Sequence, residues 1–281
     1  MPKLEEVLVC PLSKQPMTLL DGDYEAPSGL RWTGGDFRVP LDFSHVWEHG
    51  QHEYEVFNDK WLRHGESTAG GWDAVDAETR EIYAQLPLEG EVLDVAGQLG
   101  TVATQAGVSP EDFVCIDTMR FDFAEIEQKF PRFAAHYSAA RAGGHVQANA
   151  EFLPIRDTSF DTVHMRSCLD HFAAPQLALL EAYRVLRRGG ALVIGLSLEG
   201  AYKFGDDSVE PVRERSAVGR AKRTAIDVLK KNPAAFQKAM AVRAKVLGGD
   251  HDHHIFHPTQ DNLRAMTTAA GFRADKEVWQ S

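Results

Sequence analysis

EVLDVAGQLG, residues 91–100, is the stretch that decides the fold. An apolar run closed by Asp94 and a glycine-containing turn describes a strand feeding a helix. FVCIDTM, residues 113–119, repeats the pattern with Asp117 at its end. In a parallel α/β sheet, the carboxylate ending the second strand sits where the ribose hydroxyls of an adenosine cofactor arrive, and it can accept from both. The two segments together read as an adenosine-cofactor site.

Working outward, strands are expected at 91–95, 113–117, 145–148, 160–165 and 190–196. Helices lie between them, such as AAPQLALLEAYRVLRR (173–188), whose apolar residues recur at helical spacing and whose basic end meets a Gly-Gly stop. This alternation implies a doubly wound, mostly parallel sheet of the α/β class. DKEVW, residues 275–279, is the last strand candidate.

ANAEFLPIRDTSFDTVHMRSCLDHF followed by EAYRVLRRGGALVIG resembles the central part of class I S-adenosylmethionine (SAM) methyltransferases. There, an acid-Ala-Glu-x-Leu-Pro segment precedes Ser-Phe-Asp, a strand and a Leu-x-Arg-Gly-Gly turn. The resemblance covers roughly residues 85–200, with a weaker echo in FHPTQDNLRAMTTAAGF. It implies a Rossmann-like fold with SAM as cofactor. Asp94, Ala96 and Gly100 would line the methionine end with Gly97, Gln98 and Met165. Asp117 would take the ribose beside Thr118 and Met119, and Asn149, Ala150 and Glu151 would flank the adenine. The family's turn carries glycine where Ala96 and Gln98 stand here, and an acid where Asn149 stands. Gln98 offers an amide donor for the SAM carboxylate, and Asn149 a neutral acceptor for the adenine amine. AGQLG also fits the tail of the phosphate loop of short-chain reductases. Those use a Tyr-x-x-x-Lys pair, and no tyrosine here has Lys four residues on.

The chain has 281 residues, enough for one α/β domain plus a small unit. Its net charge of −11 argues against a general nucleic-acid partner. Cys10, Cys115 and Cys168 are odd in number and read as free thiols. Without a signal-like start or a long apolar run, the expected location is the cytoplasm.

Residues 1–45 form a separate β-rich unit, LEEVLVCPL followed by LRWTG and FRVPL. It resembles the small Trm112-like module, matching it at Cys10, Pro11 and Lys14. Zinc-binding members need four ligands, so one cysteine leaves this module metal-free. Residues 46–90 form an aromatic helical entry segment, and the SAM-binding domain occupies 91–281. Packing of these aromatics on the sheet edge is the favoured reading. Tyr54 and Trp61, seven apart, are the candidate lid and substrate contacts. The insertion at 201–250 is helical in pattern, with eleven basic against five acidic residues over 201–247. Family members place substrate-selecting caps here. Arg213, Arg215 and Arg220 are the candidate contacts to an anionic or hydroxyl-rich acceptor.

Methyl transfer to oxygen needs an aligned nucleophile and a group to take its proton. His171, on the rim after the strand containing Met165, is the candidate base, and capping of the next helix is its alternative. Asp170 can reach substrate or, against the direction of adjacent side chains, orient the imidazole. The Asn/Asp-Pro-Pro-Tyr signature of amino-group methylation is missing, which favours oxygen or a carbon acid. His251, His253, His254 and His257 are read as packing near the substrate mouth. A divalent metal on Asp170, Asp250 or Asp252 stays open. The expectation is a SAM-dependent O-methyltransferase acting on a small metabolite or saccharide. Its alternatives are a SAM-fold subunit that has lost catalysis and a SAM enzyme of non-methylating chemistry. A homodimer would be one way to cover an open sheet edge.

Overall fold

A computed structural model describes residues 4–39, 58–139, 144–196 and 258–278. Tyr54, the insertion with Arg213, Arg215 and Arg220, Asp250, Asp252 and the four histidines at 251–257 lie outside the described residues.

The N-terminal unit begins with α1 (Leu4–Val7). Its three-stranded antiparallel sheet consists of β1 (Thr18–Leu20), β2 (Asp23–Glu25) and β3 (Arg31–Trp32). Helix α2 (58–67) and α3 (Gly71–Gln85) lead into the main sheet. That sheet comprises β4 (Val92–Val95), β5 (Phe113–Asp117), β6 (His145–Gln147), β7 (Phe160–Arg166) and β8 (Leu186–Gly195). Its strands are all parallel and lie in the order β6-β5-β4-β7-β8. Between them run α4 (Val102–Ala106), α5 (Phe123–Lys129), α6 (Pro131–His136) and α7 (Pro175–Val185); α8 (Gln260–Ala269) follows.

Every residue of β4 and β5 is buried, as expected for central strands covered on both faces. Leu93, Val95, Ile116 and Val163 pack with Ala178, Leu179 and Ala182 of α7. On the opposite face Val92, Phe113 and Cys115 meet Tyr83 of α3 and Val102 of α4. The sheet is therefore doubly wound, and its order reverses between β4 and β7. In such sheets ligands bind beyond the carboxyl ends of the strands at the reversal, which places a site around residues 96–100, 117–119 and 166–171.

Two expected elements need correction. The helix starting near Pro175 ends at Val185, and Leu186 already pairs with Phe160, so Arg187 and Arg188 belong to β8. The Gly189-Gly190 pair is an irregularity inside that strand. The register shifts between Phe160 and Thr162, Gly189 takes φ +83°, and a Cβ on Gly190 would lie 2.7 Å from the Asp161 carbonyl oxygen. Arg187 stays extended because it pairs with Asp161 and Glu91 from the neighbouring strand region. In the expected strand DKEVW, residues 275–278 have no regular structure. Instead Glu277 pairs with Arg264 at 2.7 Å and Lys276 Nζ donates to the Gln85 carbonyl.

The N-terminal unit is joined to the β6 side. Asp36 bridges Gln147 in parallel, Phe37 N donates to the Gln147 carbonyl at 2.8 Å, and Leu8 bridges Ile155. Lys14 Nζ lies 2.6 Å from Glu181 of α7. The segment 36–39 thus covers an edge that would otherwise expose unpaired backbone groups. Cys10, Cys115 and Cys168 are buried free thiols.

Candidate cofactor and active site

The glycine-poor turn holds its shape at a conformational cost. Ala96 (φ +56°) and Gln98 (φ +49°) adopt the left-handed backbone that glycine takes without penalty, as Gly100 does at +67°. What holds Gln98 there is a set of bonds to its peptide groups. Its N–H donates to Asp117 Oδ2 at 2.8 Å, and its carbonyl lies 2.9 Å from His145 Nε2 and 3.6 Å from Cys115 Sγ. Burial lowers the His145 pKa, which keeps the ring neutral with Nε2–H as the donor to this carbonyl. Gly97 between them cannot be replaced in place, because a Cβ would come within 2.1 Å of Asp94 Oδ2.

Asp117 ends β5 with 6% of its surface exposed. The Met119 N–H donates to its Oδ1 at 2.8 Å, opposite the bond from Gln98. Burial pushes its pKa up to about 6 against the lowering effect of these N–H donors. Each oxygen keeps a further lone pair, so the carboxylate can still accept from two hydroxyls. Thr118 presents its carbonyl to Gln147 Nε2 at 2.9 Å, and Met119 is buried.

Asp94 faces inward. The parallel register sets it beside His164 on one side and Cys115 on the other. Asp94 Oδ1 is 2.7 Å from His164 Nδ1, and His164 Nε2 is 2.8 Å from the Tyr83 hydroxyl. Asp94, His164 and Tyr83 are all at least nine-tenths buried. Tyr83, its pKa pushed up to about 12 by burial, keeps its proton and donates to Nε2, leaving Nδ1–H for Asp94. A second buried network lies behind it. Asp76 accepts from Gln105 at 2.9 Å and from the Tyr137 hydroxyl, and Arg166 of β7 donates to Gln105 Oε1 at 3.1 Å.

At the end of β6, Asn149 is fully buried, and its Oδ1 accepts the Val39 N–H at 2.8 Å. Glu151 is also buried. Its Oε1 accepts the Ala174 N–H at 3.3 Å, ahead of α7, and burial raises its pKa. Ala150 and Met165 are buried in the core, Met165 with no exposed surface, so it packs and lines no opening.

His171 and Asp170 share one short 3-10 turn, Leu169–His171. This tight turn brings both side chains to the same side, setting His171 Nε2 3.7 Å from Asp170 Oδ1. Asp170 is 3% exposed, and the 3.7 Å separation is an ion-pair distance, longer than a hydrogen bond. Trp61 is built into an aromatic cluster, with ring centroids 4.7 Å from Trp72, 5.9 Å from Phe133 and 6.1 Å from Tyr137. Gly65 makes room for the Trp72 ring, which a Cβ there would strike. Leu99 of the turn packs in the same cluster, so Trp61 acts as packing behind the turn. Among the described residues no group of three or more His, Cys, Asp or Glu side chains could hold a metal ion, and no helix is long and apolar enough to cross a membrane.

Residues 93–194 match the family model described as a methyltransferase domain. The chain is 30% identical over 138 residues to the ubiquinone/menaquinone biosynthesis C-methyltransferase UbiE of Citrobacter koseri, a match covering 46% of this chain and 45% of that protein. UbiE of Escherichia coli O139:H28 matches at 30% over 131 residues with the same coverage. The chain thus spans under half the length of these curated relatives. Among solved structures, a Thermotoga maritima SAM-dependent methyltransferase, described as a possible histamine N-methyltransferase, aligns at 19% identity. It covers 82% of this chain and 81% of its own with a TM-score of 0.44. The parallel strands β4 to β8, with Asp94 and Asp117 near the ends of the first two, lie almost wholly within the residues that match this methyltransferase-domain model.

Proposed function

We propose that the chain methylates a hydroxyl oxygen of a small metabolite or saccharide, using SAM held across the carboxyl ends of β4 and β5. The observation that carries the cofactor part is the turn itself. Ala96 and Gln98 keep the glycine-like backbone, so the Gln98 N–H still reaches Asp117. Two left-handed non-glycine residues held in the turn support a retained cofactor site. In this reading Asp117 accepts from the ribose hydroxyls, and Gly97, Gln98 and Gly100 border the methionine end. When bound, SAM supplies an electrophilic methyl group for in-line displacement. His171, with Asp170 beside it, takes the acceptor's proton at the rim. The basic residues Arg213, Arg215 and Arg220 would favour an acceptor bearing negative charge or many oxygens.

A carbon acid is the second reading, favoured by the similarity to C-methyltransferases over 138 residues. Calorimetry with S-adenosylhomocysteine and with NAD tests the cofactor; tight NAD binding with none of the SAM product would overturn it. Once an acceptor is found, the carbon-13 shift of a labelled methyl group after transfer distinguishes oxygen from carbon.

A further inference from the structure

The amide of Asn149 presents an unusual polarity. Its Oδ1 is taken by the Val39 N–H at 2.8 Å, while Nδ2 is buried without any hydrogen-bond partner. Reversing the amide is no remedy, because it would set Nδ2 against the Val39 N–H, donor against donor. A buried donor left unmade is costly, and such groups in native structures call for an explanation. The bond that fixes it comes from the N-terminal unit. Phe37 pairs with the Gln147 carbonyl, and two residues on, the Val39 N–H meets the Asn149 side chain in place of the next backbone carbonyl. The Asn149 carbonyl is itself engaged by the Phe152 N–H. The position belongs to the cofactor end of the sheet, since the neighbouring Ala148 N–H donates to the Asp117 carbonyl at 2.9 Å.

We propose that the N-terminal unit locks Asn149 as a hydrogen-bond donor, so that the base end of the cofactor site selects an acceptor on the base of its cofactor instead of that base's exocyclic amine. This rests on the SAM reading given above and deepens it. An aspartate at 149 could accept the same Val39 N–H and leave a second acceptor facing the base. Asparagine at the same size leaves a donor. N7, beside the 6-position, is an acceptor in both adenine and hypoxanthine and satisfies that donor, and the 6-oxo oxygen of hypoxanthine can also accept it. The amine is therefore dispensable to this contact.

The test is binding, read by calorimetry, of S-adenosylhomocysteine against its 6-oxo analogue S-inosylhomocysteine. The wild type should bind the two within about threefold of each other, and Asn149→Asp should favour the 6-amino ligand by about tenfold or more. Val39→Pro removes the locking N–H at a residue already followed by proline and leaves Asn149 intact. It frees the amide to turn and should move the preference in the same direction. A wild type that rejects the 6-oxo ligand tenfold, or an equal preference in all three proteins, would overturn the inference while leaving SAM binding in place. Should the wild type bind neither ligand, the SAM reading fails and takes this proposal with it.

Discussion

Acidification should act on the Asp117 carboxylate in two opposite ways, on ligand affinity and on the stability of the unliganded fold. Its folded pKa of about 6 lies some two units above the roughly 3.9 of an unfolded aspartate. Between those values the folded chain holds a proton that the unfolded chain has lost, so the stability linked to this group is full below about pH 4 and is lost as pH rises through 6. At about 1.4 kcal/mol per unit, the loss amounts to about 3 kcal/mol, and with the group only 6% exposed, solvent screening does little to reduce it. Ligand binding runs the other way. The ribose hydroxyls need acceptor positions that the ionised carboxylate keeps after bonding to Gln98 and Met119, and protonation removes one of them. The dissociation constant for S-adenosylhomocysteine should therefore be flat above pH 7 and rise by about tenfold per unit below 6. Calorimetry from pH 5 to 8 measures the affinity arm, and urea unfolding by tryptophan fluorescence the stability arm. Asp117→Asn should weaken binding, flatten the affinity slope and remove from the stability slope the part that Asp117 supplies, leaving that of groups such as Glu151. A constant affinity across that range, or an affinity slope that survives in Asp117→Asn, would refute the reasoning.

Gln98→Gly and Ala96→Gly should each raise stability by about 0.5–1 kcal/mol, because the relief of a left-handed residue exceeds the chain entropy that glycine adds. Urea midpoints check this, and a fall on either change would mean the side chain contributes more than its backbone costs. His164→Leu should destabilise by about 3–5 kcal/mol by leaving the Asp94 carboxylate buried without its partner, whereas Tyr83→Phe should cost about 1 kcal/mol. Equal midpoints for His164→Leu and wild type would show that the buried pair is not formed in solution.

The fold was legible where hydrophobic runs end in punctuation. Asp94 and Asp117 close strands that start and stop within a residue of expectation, because a fully buried strand must be apolar and its ligand end polar. Gly189-Gly190 misled because the pair that stops a helix also permits a bulge, and the deciding contact, Asp161 against Gly190, comes from another strand. The partners of the site were hidden for the same reason. His164 lies seventy residues from Asp94, and only the β4–β7 register makes them neighbours; a histidine inside the run TVHM was the one signal. His145, which pins the Gln98 carbonyl, carried no signal beyond its place at a strand start. Asn149 was visible as a departure from the family acid, but its consequence depends on the Val39 N–H, 110 positions away.

The attachment of the N-terminal unit imposes an order on folding. Its docking partners, Gln147, Ile155 and Glu181, lie more than a hundred residues downstream of Asp36, Leu8 and Lys14. On the ribosome this unit emerges before its partners and cannot dock until β6 and α7 exist, so Phe37 and Val39, buried in the folded chain, wait exposed until those elements are made. Closing so long a loop adds little entropy per extra residue but delays the contact. The Val39–Asn149 bond is consequently among the last to form, and the base end of the cofactor site is completed only after the parallel sheet has assembled.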